Sequence, residues 1–502
     1  MREITANTDY PGYLLKCNEE LLLDSGKKIK DFQIAYQTYG DLNNQKDNAI
    51  LVCHALTGDQ FPAEENPITK KKGWWELMIG PNKPIDTNKY FVICTNVLGG
   101  CVGTTGPNDI NPETSKIYGL DFPTITIRDM VKAQKILIDE LGISKLLSVA
   151  GGSMGAMQVL QWAATYPESV RSIMSIAGSL KHSAQNIAFD EAGRQSIMLD
   201  PNWQNGRYLE GNEKPENGLS VARMIAHITY LSEKAFQNKF GRNLQEKNDL
   251  SFGFGIDFQV ESYLRYQGRS FVDRFDANSY LYMTRAMDYF DVKNEIIENK
   301  KTIINNSIRF LVLSFTSDWL FPTKESREIV SLLNSIGSNV SFAEVVSDRG
   351  HDSFLLDEPQ FFKVAQGFFK GNKMRKDYEI ILKLIPENSK VLDIGCSDGE
   401  LISYLENKGV SAQGVELNQE KVIKCLEKGL DVIHGDINLI VEDFPFNQFD
   451  YCLLTQTIQA VQKPDKLLNT LKKVSKNIIV SFNNSARLSK ISNFLLSGSF
   501  DS

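Results

Sequence analysis

The chain has 502 residues, of which 42% are hydrophobic and 23% are charged, and its formal net charge is −7. This length suffices for about two or three domains with a large core, and the negative charge argues against general affinity for nucleic acid or an anionic membrane. The seven cysteines form no Cys-x-x-Cys pair, so we expect reduced thiols and no metal site. An N-terminus without an apolar signal segment predicts a cytoplasmic enzyme.

Short apolar runs alternate with helical patterns along the first 370 residues, which predicts βαβ units and a mainly parallel sheet. The predicted core strands are 49–55, 90–97, 146–150, 170–177, 308–315 and 340–346. The stretch from about 179 to 300 breaks this rhythm, because it is helical and rich in Arg, Tyr and Phe. We interpret it as a cap inserted over the carboxyl ends of the sheet. A helix near 361–369 closes this first unit.

The first chemical signal is Gly151–Gly155, which reads Gly-Gly-Ser-Met-Gly between a predicted strand and a predicted helix. This pattern is typical of a nucleophile elbow, where small residues flank a serine because the backbone turns sharply. Such a turn would expose Ser153 Oγ and place the Met154 amide where an oxyanion forms. The alternative is a glycine-rich turn with an incidental serine.

A serine nucleophile needs a base, and the chain has only five histidines. His351 follows the last strand of the first unit, and Asp318 follows the strand before it. The order Ser153, Asp318, His351 is that of α/β-hydrolase triads. His351 would accept the Ser153 proton, and Asp318 would fix the imidazole tautomer. A second oxyanion donor is expected in the loop after an early strand, from the Leu56 amide.

Five motifs in order now carry a resemblance to a known family. They are 54–58 (His-Ala-Leu-Thr-Gly), 96–101 with 103–107, 151–155, 269–280 and 350–352 (Gly-His-Asp). Over roughly residues 8–370 the chain resembles the homoserine O-acyltransferases of the MetX type. The resemblance implies an α/β-hydrolase fold with a helical cap, and acyl transfer from acyl-CoA to the hydroxyl of L-homoserine through a Ser153 acyl-enzyme. It also implies methionine biosynthesis, a homodimer, and no cofactor beyond the acyl-CoA co-substrate.

The family motifs further imply that Arg223 holds the homoserine carboxylate and Asp352 its ammonium group. A guanidinium suits this role because it can hold a carboxylate in a bidentate pair. From the residues alone, the alternatives are a solvated helix-face arginine and a loop-capping aspartate.

The acyl donor stays open, because acetyl-CoA and succinyl-CoA users share these motifs. We choose acetyl on family frequency, with homoserine O-succinyl transfer as the alternative. An esterase or thioesterase reaction on the same triad is the other alternative. A non-catalytic scaffold is disfavoured, because a scaffold has no need of all three triad residues.

A second unit, 380–502, follows a polar linker at 371–379 and resembles MetW, a methyltransferase-like protein linked to methionine biosynthesis. The resemblance implies a Rossmann-like domain with positions for S-adenosylmethionine, which are Asp393, Gly395, Gly399, Glu416 and Asp436. Glu416 would bind the ribose hydroxyls and Asp436 would face the adenine amine. Ser397 stands where a glycine is usual. About five strands are predicted, so we expect a C-terminally incomplete sheet.

Three roles for this second unit stay open: an active methyltransferase, a cofactor-sensing or partner module, and a truncated remnant. The resemblance names no methyl acceptor, and the sequence shows no dedicated base for methyl transfer. We therefore favour a binding or regulatory module. S-adenosylmethionine binding would permit feedback from the end of the pathway onto acyl transfer.

Overall fold

The computed structural model describes residues 3–6, 12–67, 69–211, 213–370, 379–455, 457–458, 461 and 463–481. The chain divides into two compact units, Met1–Phe369 and Lys370–Ser502. The predicted linker at 371–379 lies outside the described residues except for its last position. Within the described part, no helix combines the length and the apolar character that a membrane span requires.

The first unit is built on one large sheet. Its described strands are β1 (Glu3–Ala6), β2 (Tyr13–Cys17), β3 (Phe32–Tyr39), β4 (Ala49–Cys53), β5 (Phe91–Thr95), β6 (Ser148–Gly152), β7 (Ser172–Ile176), β8 (Arg309–Phe315) and β9 (Asn339–Val345). Across the sheet they run β1-β2-β3-β5-β4-β6-β7-β8-β9. Strands from β5 onward pair in parallel, whereas β1, β2 and β3 form an antiparallel edge that also pairs antiparallel with β5.

The parallel strands are the ones that the sequence predicts, with bounds that differ by at most two residues. β4, β6 and β7 are buried at every position, as expected for strands covered on both faces. The antiparallel edge is an addition to the predicted strands. Because the carboxyl ends of parallel strands meet at one edge, the loops after β4, β6, β8 and β9 converge there.

Helices cover the sheet and form the cap. They are α1 (Ile127–Glu140), α2 (Met154–Thr165), α3 (Ala184–Met198), α4 (Glu216–Tyr230), α5 (Glu233–Lys239), α6 (Gln259–Val272), α7 (Ala277–Asp288), α8 (Lys293–Glu298), α9 (Lys300–Asn305), α10 (Thr323–Ser335) and α11 (Pro359–Lys370). Helices α3 to α9 lie between β7 and β8, in the segment predicted as a cap, and α4 packs against both α3 and α6. Thr126 begins α1 with a capping box that includes Asp129.

Short elements complete the first unit. Two-stranded pairs join Leu21–Leu22 to Lys28–Ile29, Ile79–Gly80 to Ile85–Asp86, and Ile110–Asn111 to Lys116–Ile117. Short 3₁₀ helices occur at Gly119–Asp121, Pro167–Ser169, Pro201–Gly206, Tyr208–Glu210 and Gly350–Leu355. All seven cysteines lie within the described residues, and none of them forms a disulfide.

The second unit is a parallel sheet with helical connections. Its described elements are α12 (Glu379–Leu384), β10 (Lys390–Ile394), α13 (Glu400–Asn407), β11 (Ser411–Glu416), α14 (Gln419–Glu427), β12 (Val432–His434), α15 (Ile437–Ile440), a 3₁₀ turn at Val441–Asp443, β13 (Phe449–Thr455), α16 (Pro464–Val474) and β14 (Ser475–Ser481). The strands run β12-β11-β10-β13-β14. The order reverses beside β10, where open α/β sheets bind ligands. The expected incompleteness of this sheet concerns residues 482–502, which lie outside the described residues.

Candidate active site

Ser153 stands at the sharp turn between β6 and α2. Its backbone has φ 60° and ψ −126°, a strained conformation for a residue with a side chain. Neighbouring backbone enforces the turn: the Ser153 amide donates to Ile176 O at 3.1 Å. A Cβ on Gly151 would lie 2.7 Å from Cys53 O, and one on Gly155 only 2.2 Å from the same oxygen. Only glycine fits at these two positions, and the turn has the geometry of a nucleophile elbow.

His351 and Asp318 form a buried pair in the loops after β9 and β8. His351 Nδ1 lies 2.8 Å from Asp318 Oδ2. The other carboxylate oxygen, Oδ1, accepts the amides of Leu320 at 3.0 Å and Phe321 at 2.9 Å, which fixes the carboxylate plane. Within the described part of the chain, His351 Nε2 has no hydrogen-bond partner. An imidazole held at Nδ1 with Nε2 free can accept a proton from a nucleophile.

Aromatic side chains lie between the Asp318–His351 pair and the elbow at Ser153. Phe321 lines the small cavity around Ser153, and its ring centre lies 5.2 Å from that of His351. Phe354 lies 5.6 Å from the imidazole on another side, and its ring would be 2.6 Å from a Cβ on Gly152. The imidazole is therefore enclosed by apolar rings next to the elbow.

The surroundings of His351 favour its protonated form. Burial alone would lower its pKa, but the charge and hydrogen bond of Asp318, together with the charge of Asp352, raise the pKa above the ordinary value of 6.5. A base that must become an imidazolium during the reaction gains from this arrangement.

The two predicted oxyanion donors flank the elbow. Met154 is the first residue of α2, and Leu56 lies in the loop after β4 and lines the cavity around Ser153. Among the described residues, neither amide donates to a backbone acceptor. Both N–H groups are thus free to bind an oxyanion.

His54 fixes the loop that carries Leu56. Its Nδ1 lies 2.7 Å from Ala55 O, and its Nε2 accepts the Val97 amide at 3.2 Å. Burial lowers the pKa of His54 to about 4, so the ring is neutral near pH 7. His54 therefore ties two loops together and is not a second base.

Arg223 and Asp352, the predicted acceptor ligands, lie beside the His351 loop. Arg223 is 8% exposed, which rules out a solvated helix-face arginine. Its Nη1 donates to Thr57 Oγ1 at 3.2 Å, and its guanidinium lies 4.7 Å from the Phe271 ring centre. Burial raises the pKa of Asp352, while the charges of His351 and Arg223 offset part of that rise. Helix α4, which carries Arg223, packs against the 3₁₀ turn that carries His351 and Asp352.

Comparison with known proteins decides the family. Residues 48–358 match the family described as alpha/beta hydrolase fold, and residues 375–498 match the family described as Methionine biosynthesis protein MetW. A homoserine O-acetyltransferase of Mesorhizobium japonicum is 61% identical over 352 residues, which span 70% of this chain and 90% of that protein. The chain belongs to the homoserine O-acetyltransferases of the α/β-hydrolase fold family.

Other relatives agree with this family. The homoserine O-acetyltransferase of Rhodospirillum rubrum is 59% identical over 70% of this chain and 90% of its own length. The crystal structure of homoserine O-acetyltransferase from Bacillus anthracis is similar with a TM-score of 0.65 and 29% identity, covering 74% of this chain and 97% of that one. The crystal structure of esterase E22 has the same TM-score, 0.65, at 30% identity, and covers 74% and 100%.

The acyltransferase unit also contains site residues that the sequence analysis missed. A cavity of about 40 Å³ at Ser153 is lined by cap side chains that include His182, Asp190 and Tyr230. His182 Nδ1 lies 3.3 Å from Asp288 Oδ1, a contact between residues 106 positions apart. No sequence motif predicts the contact between His182 and Asp288, because it forms only when the helices of the cap pack over the elbow.

His182, Asp190 and Asp288 are close enough together to suit a metal ion. Arg194 already supplies positive charge there, since its Nη2 lies 2.7 Å from Asp288 Oδ2. Burial and the neighbouring Asp288 charge raise the pKa of Asp190 well above its usual range. The cluster is thus a buried polar network, of which His182 and Asp190 line the cavity at Ser153 while Asp288 and Arg194 lie behind that lining.

In the second unit, several predicted positions meet at one cavity. Gly395, Glu416 and Asp436 line a space of about 870 Å³ at the carboxyl ends of β10, β11 and β12. Glu416 Oε2 accepts the Ser397 amide at 2.9 Å, and its Oε1 accepts the Asn418 amide at 2.8 Å. Glu416 therefore also organises the glycine turn.

Two other predicted positions lie apart from this cavity lining. Asp393 is 1% exposed beneath the turn, and burial raises its pKa to about 7. Gly399, with φ 78°, precedes α13 and packs against Leu430. Both shape the loop from below.

Proposed function

We propose that the chain is a homoserine O-acetyltransferase that transfers the acetyl group of acetyl-CoA to the hydroxyl of L-homoserine. The observation that carries this proposal is the buried Asp318–His351 pair, with Nε2 free, beside the strained elbow at Ser153. A triad of this kind performs acyl transfer in two steps through an acyl-enzyme.

In the first step, Ser153 Oγ attacks the thioester carbonyl carbon while His351 Nε2 takes the hydroxyl proton. The carbonyl electrons move to an oxyanion that the Leu56 and Met154 amides stabilise, each amide contributing about 3 kcal/mol. When the carbonyl reforms, the carbon–sulfur bond breaks and the CoA thiolate takes the proton from His351. The products are acetyl-Ser153 and free CoA.

In the second step, the homoserine hydroxyl attacks the acetyl-Ser153 carbonyl, and His351 takes its proton. The tetrahedral intermediate collapses, Ser153 leaves with that proton, and O-acetyl-L-homoserine is released. Arg223 would hold the carboxylate and Asp352 the ammonium group, which orients the hydroxyl towards His351. Fixing the acceptor in this way favours the alcohol over water.

The size and charge of the acyl cavity support acetyl over succinyl. The cavity at Ser153 holds about 40 Å³, enough for a group as small as a methyl. A succinyl group would bring a further methylene and a carboxylate into this space. The lining side chains of this cavity, all within the described residues, include Asp190 but no lysine or arginine. A second carboxylate would therefore be buried without a cation.

The test is release of free thiol from acetyl-CoA and from succinyl-CoA, each with and without L-homoserine, alongside Ser153→Ala. We expect homoserine-dependent release from acetyl-CoA that the variant abolishes. Thiol release at the same rate with and without homoserine would instead assign an esterase or thioesterase. The structural neighbour E22 is named an esterase. Release from succinyl-CoA alone would assign the succinyltransferase.

For the second unit we propose binding of S-adenosylmethionine in a regulatory role. The position of the cavity at the carboxyl ends of the strands, and the acidic residue at the end of β11, support a nucleoside ligand. Calorimetry with the full chain tests binding, with Asp436→Asn as the variant. If S-adenosylmethionine binds but leaves acetylation kinetics unchanged, the regulatory role fails.

We also propose that the chain is a cytoplasmic homodimer. The homodimer rests on the family resemblance, and the cytoplasmic location rests on the expectation of reduced cysteines. Sedimentation velocity of the full chain tests the oligomeric state, and a monomer at micromolar concentration would contradict it.

A further inference from the structure

Two arginines of the cap converge on Thr57, the residue after the predicted oxyanion donor Leu56. Arg223 Nη1 donates to Thr57 Oγ1 at 3.2 Å, and Arg274 Nη1 donates to Thr57 O at 3.1 Å. The two guanidiniums also share one aromatic ring, because they lie 4.7 and 5.1 Å from the Phe271 ring centre. Two positive charges are therefore held against the same loop residue and the same ring.

Asp352 exerts an opposite charge on Arg223, as Asp59 does on Arg274, but no salt bridge joins either pair in the described part of the chain. Among the residues that the structure describes, neither guanidinium forms an ion pair with a carboxylate. Burial and the Arg223 charge lower the pKa of Arg274 to about 10. Asp59 exerts an opposite charge on Arg274, but its carboxylate accepts from the Phe61 amide and the Asn66 side chain. Like charges held together in a partly buried site are costly unless an anion joins them.

A cavity next to these arginines can hold such an anion. It has a volume of about 210 Å³ and is lined by Arg223, Arg274, Thr57 and Lys71 among others. Four cationic side chains line the cavity against one carboxylate, so this lining carries excess positive charge: Arg223, Arg274, Lys71 and Lys72 against Asp59. Burial and the two arginine charges accordingly lower the pKa of Lys71. A carboxylate accepts bidentate hydrogen bonds from guanidinium groups and fits this volume.

We propose that Arg274 is a second ligand of the acceptor carboxylate, so that the α-carboxylate of homoserine binds between Arg223 and Arg274. This inference rests on the proposed function. The bound carboxylate relieves the repulsion between the two guanidiniums and sits against Thr57. Because Thr57 adjoins Leu56, acceptor binding also steadies the loop that carries the oxyanion donor.

The test compares Arg274→Gln with the wild type on two acceptors, L-homoserine and aminopropanol, which is homoserine without its carboxylate. We expect kcat/KM for homoserine to fall about 10- to 100-fold, as for loss of a charged hydrogen bond, and kcat/KM for aminopropanol to stay unchanged. The burst of thiol released from acetyl-CoA without acceptor should keep its rate. Arg274→Lys should recover part of the homoserine affinity, and Arg269→Gln, an exposed arginine on the same cap, should have no effect.

Three outcomes would overturn the proposal. A raised KM for acetyl-CoA with an unchanged KM for homoserine would assign Arg274 to a CoA phosphate, since Arg274 also lines a larger cavity of about 630 Å³. An equal loss for both acceptors and for the burst would mean that Arg274 only supports Thr57. Unchanged kinetics of the Arg274→Gln variant with both acceptors would show that Arg274 has no role in acceptor binding. A wild type without homoserine-dependent release would instead refute the proposed function itself.

Discussion

Replacing Asp318 by asparagine changes one atom beside His351 while the shape of the loop can persist. Asp318 Oδ1 accepts the amides of Leu320 and Phe321, and the oxygen of an asparagine can keep both bonds. The asparagine nitrogen must then face His351 Nδ1, at the position of the oxygen that is 2.8 Å away in the wild type. An amide nitrogen only donates, so the ring proton moves to Nε2, the atom that must accept from Ser153.

The wrong tautomer should lower kcat about 10³- to 10⁴-fold, which corresponds to roughly 4–5.5 kcal/mol of activation free energy. The pH dependence should change as well. In the wild type, the pKa of His351 lies above 6.5, so the neutral base is lost as pH falls through that raised pKa. Without the Asp318 charge, burial dominates and lowers the pKa of His351, which moves the acid limb to lower pH.

The assay is kcat/KM for acetyl-CoA, measured from about pH 5 to about pH 9. Asp348→Asn is the matched control, because Asp348 lies in the same loop region as His351 but pairs with Lys234 at the surface. A variant that keeps more than about a tenth of the activity would refute the assigned role of Asp318. So would an acid limb that stays in place.

Two further substitutions and one comparison of substrates follow from the same structure. Gly155→Ala places a Cβ 2.2 Å from Cys53 O and should lower the free energy of unfolding by about 1–3 kcal/mol in urea. Gly255→Ala is the control, because a Cβ there meets nothing within 4 Å and should leave that free energy unchanged. Ser397→Gly removes a left-handed residue with φ 55° and should stabilise the second unit by about 1 kcal/mol in thermal melting, and a lower melting temperature would contradict this argument from strain. Succinyl-CoA should have a kcat/KM at least about 100-fold below that of acetyl-CoA, because its carboxylate would be buried near Asp190, and comparable values for the two donors would contradict that reasoning.

Much of the first unit could be predicted because its core strands are continuous apolar runs. β4, β6 and β7 are buried at every residue, so their sequences leave little choice of structure. The chain order of Ser153, Asp318 and His351 then indicates which loops meet, since parallel strands deliver their loops to one edge. The antiparallel edge could not be predicted in the same way, because β2 and β3 lack a clean period-two alternation: Leu14 and Leu15 are both buried, as are Ile34, Ala35 and Tyr36.

The cap side of the site could not be predicted from spacing. Arg274 reaches Thr57 across 217 positions, and Arg223 reaches it across 166. Such contacts depend on how helices settle over the sheet, and a helix pattern specifies an apolar face without specifying its partner. Asp190 was missed for the same reason. In the second unit, the glycine turn could be predicted from its sequence. The sequence did not show that Glu416 lines the cavity whereas Asp393 is buried beneath the turn.

The neutral His54 has a consequence for acid tolerance. Its pKa is about 4 in the folded chain, compared with an ordinary value of 6.5. Between about pH 4 and pH 6.5, His54 is therefore protonated in the unfolded chain and neutral in the folded chain. Stability from this residue is present above about pH 6.5 and is lost progressively as pH falls towards 4, by about 3 kcal/mol in all. Because the imidazole joins the Leu56 loop to the Val97 loop, mild acid should loosen the oxyanion side of the site before the rest of the sheet. Acidification would then lower the activity in two ways, by protonating the structural residue His54 and by protonating the base His351.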